Sequence, residues 1–151
     1  MKKLTSQLVL PLTIISFSLF TKWWFVIPVD APELLMKGFP LPYICPGWHT
    51  SLSLQIFLGE FLVDLLVYFS FWWVIVCLFD RVIRKIKVHK AVKATLMVIS
   101  ILILTLEILI ISNPDNKFYL TRDFGIEILD TGYQFNLNPP ERPVLGDYDQ
   151  D

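Results

Sequence analysis

Hydrophobic positions dominate three stretches of the chain, 8–27, 60–79 and 94–111, and polar or charged residues crowd into the segments between them. Each stretch is close to the ~20 residues that an α-helix needs to cross a bilayer core of ~30 Å. The pattern predicts an all-α membrane protein. Its three transmembrane helices would occupy about 8–27, 55–79 and 93–112, forming one region over 1–112, with a separate tail over 113–151.

Composition points the same way. Of 151 residues, 54% are hydrophobic and 15% aromatic, the mean hydropathy is +0.57, and 18% are charged, against ~25% in an ordinary soluble domain. The net charge of -1 conceals a segregation of sign. Lys2 and Lys3 open the chain, and Arg81, Arg84, Lys85, Lys87, Lys90 and Lys93 cluster between the second and third stretches. The tail holds eight acids against Lys117, Arg122 and Arg142. Short Lys/Arg-rich loops stay cytoplasmic, so three spans predict a cytoplasmic N-terminus, an exoplasmic C-terminus and a cell-membrane location. The basic cluster is read as an orientation signal beside lipid headgroups, without a nucleic-acid role. Lys2-Lys3 before an apolar run also imitates a signal peptide. Lys22-Trp23-Trp24 stands where small residues would be needed, and Pro32 would follow the cut, so the first stretch is expected to remain as a span whose outer boundary Trp23 and Trp24 mark.

Between the first two spans, Pro28, Pro32, Pro40, Pro42 and Pro46 forbid a long helix. Leu34, Leu35, Met36, Phe39, Tyr43 and Trp48 nevertheless make this outer loop too apolar for a solvated connector, so it is expected to contact a partner or fold onto the membrane. Cys45 and His49, four positions apart, have the residue types of a thiol–imidazole pair or of two zinc ligands. A structural zinc site wants four ligands, and His89 is the only other histidine. No catalytic, cofactor or metal site is expected. Cys77 would lie about a membrane thickness from Cys45, too far for a disulfide, leaving Cys45 as a small hydrophobe or a bridge to another chain.

In the tail, Asp130-Thr131-Gly132 after Ile128-Leu129 has the local form of an aspartic-protease motif, but only one copy occurs and ~40 residues cannot build such a lobe. It reads better as a hairpin turn between strands 125–129 and 133–137. Pro11 is expected to bend the first helix near Leu10.

The residues nearest to chemistry are charges framed within the spans. Lys22, Asp64 and Glu107 reach similar depths in the outer half, and Glu60 shares a helix face with Asp64. Lys93, Ser100 and Glu107, seven apart, form a polar stripe on the third helix. Ionisable groups within a span usually face the bundle or a partner, so Lys22, Glu60, Asp64 and Glu107 form a candidate network. Its leading reading is a structural staple in a non-enzymatic accessory or assembly subunit of a larger membrane complex, with the bilayer and other membrane subunits as partners. The alternative is a small homo-oligomeric ion or proton transporter or channel whose path Asp64 and Glu107 would line. No family resemblance is close enough to carry residues over.

Overall fold

The computed structural model describes residues 5–29, 32–47, 50, 52–83 and 88–135. It is a mixed α+β fold, not an all-α bundle: three helices stand against a six-stranded sheet. A π-wound turn, Thr5–Val9, leads into α1, Leu10–Leu19, and the winding changes just before Pro11, which has no N–H to give to the preceding turn. The Thr13 hydroxyl donates to the Val9 carbonyl at 2.8 Å, covering one acceptor at this junction.

The first expected span breaks after Leu19. Phe20 turns to extended backbone (φ -113, ψ 124), and Phe20–Pro28 forms strand β1. Its residues, Phe-Thr-Lys-Trp-Trp-Phe-Val-Ile, are mostly aromatic or β-branched, types that suit a pleated surface with neighbours on both sides. An unbroken apolar run looks the same to a sequence reading whether it is helix or buried strand, and here partners on both edges decide for strand. The span count is therefore corrected from three to two candidates, Leu58–Val82 and Lys90–Ile111, with a shorter apolar helix over Ser6–Leu19.

The apolar outer loop is the second correction, because it supplies strands β2 (Leu34–Lys37), β3 (Ile44–Pro46) and β4 (Leu54–Phe57). Val26, Leu34, Met36, Cys45 and Phe57 form a buried cluster against which Trp24, Phe124 and Ile126 pack. In register, Trp24 stands opposite Met36 and Val26 opposite Leu34. Leu34 and Met36 are thus apolar because they are core. Gly38, at φ +151, turns the chain out of β2, and a Cβ there would run into the Leu41 carbonyl.

From Phe57 the chain enters α2, Leu58–Leu78, continued by a π-wound turn, Phe79–Ile83, and returns through α3, Lys90–Ile111. The His89 side chain accepts the Ala91 N–H at the start of α3. At its far end Asn116 donates to the carbonyls of Ile110 and Ile111 at 2.9 and 3.1 Å and accepts the Leu54 N–H at 2.9 Å, tying the helix end to β4. Helix α1 packs against both α2 and α3, which meet chiefly through it. The Ser100 hydroxyl on α3 donates to the Leu96 carbonyl at 2.7 Å and reaches the Pro11 carbonyl on α1 at 3.4 Å.

Strands β5 (Lys117–Tyr119) and β6 (Ile126–Phe135) complete the sheet in the order β5-β4-β3-β2-β1-β6, with β4 and β5 parallel and the other pairs antiparallel. The expected hairpin is the third correction. Asp130-Thr131-Gly132 runs straight through β6, because β6 pairs with β1 on both sides of it and no turn is required. Phe25 faces Asp130 and Val26 faces Ile128, leaving Leu129 as the extra residue of a bulge.

Candidate functional site

The carboxylates of α2 hold two loops of the sheet. Asp64 is 0% exposed, and its Oδ1 accepts the Leu41 N–H at 2.9 Å, with the Phe39 N–H also directed at the carboxyl. One turn earlier, Glu60 Oε1 accepts the Arg122 N–H at 3.1 Å, and the Gly59 N–H reaches the Leu120 carbonyl at 2.8 Å. The i, i+4 spacing thus places one acid under the β2–β3 loop and the other under the β5–β6 loop. Asp64 Oδ2, Glu60 Oε2 and Arg122 Nη1 are buried without a hydrogen-bond partner among the described residues.

Glu107, half-buried on α3, is close enough to act on Lys37 and Tyr43. Burial pushes the Lys37 ammonium pKa down, and Glu107 works against that shift. Burial also pushes the Tyr43 hydroxyl far above its ordinary range, helped by Glu107, Asp64 and Tyr68. Tyr43 therefore stays a neutral phenol within electrostatic reach of both Asp64 and Glu107. Glu60 and Asp64 lie one turn apart on α2, and Asp64 and Glu107 both act electrostatically on Tyr43. Lys22 lies elsewhere: its Nζ sits 3.7 Å from the Trp24 ring centroid and 5.7 Å from that of Tyr133. The cation that Glu107 acts on is Lys37, a residue of the expected outer loop. Its signal was being the only basic residue in that loop.

An aromatic cluster joins helices to sheet. Phe17 on α1 stacks on Tyr43 at 5.5 Å and meets Phe61 and Tyr68 edge-on at 5.4 Å. Phe39 meets Tyr68 at 6.3 Å and Tyr133 at 5.6 Å, and Phe20 stacks on Tyr133 at 5.9 Å. Two polar tips are satisfied inside it, Tyr68 Oη donating to the Phe20 carbonyl at 2.8 Å and Trp72 Nε1 to the Ser16 hydroxyl at 2.9 Å. Beneath the cluster lies a cavity of about 300 Å³ lined by Ser16, Phe20, Phe39, Val67, Tyr68, Phe71 and Trp72. It adjoins a shallow, open, mostly apolar surface along one face of α2, from Val63 to Ile75, with Val67 and Phe71 common to both.

Of the expected contact loop, Leu34 and Met36 are buried, Leu35, Phe39 and Tyr43 are half-buried, and Trp48 lies outside the described residues, as does His49. Arg81, Lys90 and Lys93 are exposed at the helix ends remote from the sheet, whereas Arg84, Lys85 and Lys87 lie outside the described residues. Cys45 is 2% exposed within the core cluster, so it is no bridge to another chain, and burial pushes its thiol up to about 12 despite Arg122 nearby. Among the described residues, no three of His, Cys, Asp and Glu converge as metal ligands. No protein-family profile, no curated protein and no solved structure matches this chain.

Proposed function

We propose that this protein is a membrane-anchored, non-enzymatic accessory or assembly subunit. Helices α2 and α3 cross the bilayer as a hairpin, α1 dips between them, and the sheet rests on the exoplasmic surface. One observation carries the reading. The most apolar 18-residue windows of the two long helices are only 17% and 6% covered by the protein itself. A core helix of a soluble protein can be as long and as apolar, but its side chains are covered, and α3 lies too far along the chain to be a signal sequence. Leu102, Leu106, Ile108 and Leu109 on α3 and Leu62, Leu66 and Phe71 on α2 are more than half exposed, which water tolerates poorly over so large a continuous area. The solvent they need is lipid or the helices of another subunit. Arg81, Lys90 and Lys93, at the far end of the hairpin, then face the cytoplasm.

The transporter alternative asks Asp64 and Glu107 to line a path. Asp64 is closed off from solvent and engaged with the β2–β3 loop, which favours the structural role. Membranes from cells producing the full chain, washed in alkaline carbonate and dissolved in mild detergent, test the proposal. The chain is expected to stay with the pellet and to purify with stoichiometric amounts of other membrane proteins. Release by carbonate would overturn the membrane reading, and a clean homo-oligomer that passes ions in vesicles would favour transport.

A further inference from the structure

The cavity under the aromatic cluster has a chemistry of its own. At about 300 Å³ it is at the small end of ligand pockets, which run ~300–1,000 Å³, and roughly twice the volume that encloses benzene. Its walls are almost wholly apolar, and the polar atoms of Tyr68 and Trp72 are already bonded to Phe20 and Ser16. It therefore suits a hydrocarbon chain and offers little to a polar ligand. The adjoining surface runs from Val63 to Ile75, twelve residues or about 18 Å along α2 at ~1.5 Å per residue, close to the ~15 Å depth of one leaflet's hydrocarbon.

At the sheet end of this path stands a cation. Phe20 lines the cavity, and Lys22, two positions along β1, projects from the same face. Its ammonium is held over Trp24 and Tyr133, and Tyr133 in turn stacks on Phe20. Among the described residues, no carboxylate pairs with it. A positive group above an apolar cavity that opens onto an apolar helix face about one leaflet long complements an anionic head on a hydrocarbon chain. We propose that this cavity and helix face bind one acyl chain of an anionic phospholipid, whose headgroup is held by Lys22. The site rests on the membrane reading above.

Full-length protein, purified in mild detergent after reconstitution into bilayers of equal phosphatidylglycerol and phosphatidylcholine, is analysed by native mass spectrometry. The wild type is expected to retain a phospholipid with phosphatidylglycerol in excess. Val67→Trp, or the milder plug Val67→Phe if the first fails to elute as the wild type does, is expected to abolish the adduct. Lys22→Gln is expected to keep a lipid but lower the anionic preference roughly fivefold, the contribution of one lysine beside an anionic surface. Lys117→Gln, which removes the same charge from β5 at the opposite edge of the sheet, should leave the preference unchanged. A wild type without an adduct, a well-folded plug variant that still carries one, or equal effects of the two lysine changes would each refute the site. If carbonate releases the chain, the membrane reading itself has failed; if the chain stays in the membrane but carries no phospholipid, only the pocket has.

Discussion

Asp64 and Leu41, 23 positions apart, are joined by a 2.9 Å hydrogen bond from the Leu41 N–H to the Asp64 carboxylate, at a point where Asp64 has no exposure to solvent. The bond fixes the loop after Gly38 to the first turns of α2, and with it the aromatic cluster formed by Phe39, Tyr43 and Tyr68. Glu60 does the same for the β5–β6 loop through the Arg122 N–H. These acids act first as fasteners between sheet and helix.

Asp64→Ala leaves the half-buried Leu41 N–H without its acceptor, which costs about 1 kcal/mol and at most about 3. Asp64→Asn keeps an acceptor oxygen and is expected to lie well above the alanine variant in thermal denaturation in detergent. An alanine variant as stable as the wild type would mean that the bond contributes nothing.

Gly38→Ala forces a Cβ into the Leu41 carbonyl at φ +151, a conformation that side-chain-bearing residues avoid at a cost of about 1–3 kcal/mol. Gly132 has open space around the same position, so Gly132→Ala is expected to change stability by less than ~1 kcal/mol. Similar losses at both glycines would contradict the backbone geometry given to the β2–β3 loop.

Cys45 is expected to resist thiol reagents in the folded protein and to react once it is denatured, because it is buried and its thiol is pushed up to about 12. The pH dependence has a definite sign. A thiol whose folded pKa is raised contributes stability that is present below its ordinary value of 9.0 and is lost as pH climbs toward about 12. Cys45→Ala should therefore flatten the fall in melting temperature over that window, and an unchanged slope would exclude Cys45 as its source.

Orientation can be read with single cysteines placed in a background lacking Cys45 and Cys77. In intact cells a membrane-impermeant maleimide is expected to label Lys117→Cys, at the sheet, and to spare Lys90→Cys, at the far end of the helical hairpin. The reverse pattern would put the sheet in the cytoplasm, against the direction that Arg81, Lys90 and Lys93 favour.

The sequence by itself determined the two long helices: the expected spans 55–79 and 93–112 become Leu58–Leu78 and Lys90–Ile111 with small changes at the ends. A helix satisfies its own backbone within a few residues, so these two runs needed no distant partner to become helices, whereas the run 8–27, of similar length, gave way to a strand once partners were at hand. It also placed Glu60 and Asp64 on one helix face, since that depends only on a spacing of four. The tertiary structure decided everything that needed a distant partner. Phe20–Pro28 looked like the end of a span and became a strand because Leu34–Lys37 on one side and Ile126–Phe135 on the other take up its hydrogen bonds. Met36 and Cys45 looked like an exposed apolar loop until β1 and β4 covered them, and Asp130-Thr131-Gly132 looked like a turn until its strand paired with β1 throughout. Lys22 and Lys37 changed places relative to Glu107 for the same reason, because a side chain on a strand points where the pairing register sends it, and that register sets Lys22 opposite Tyr133 and Lys37 opposite Trp23.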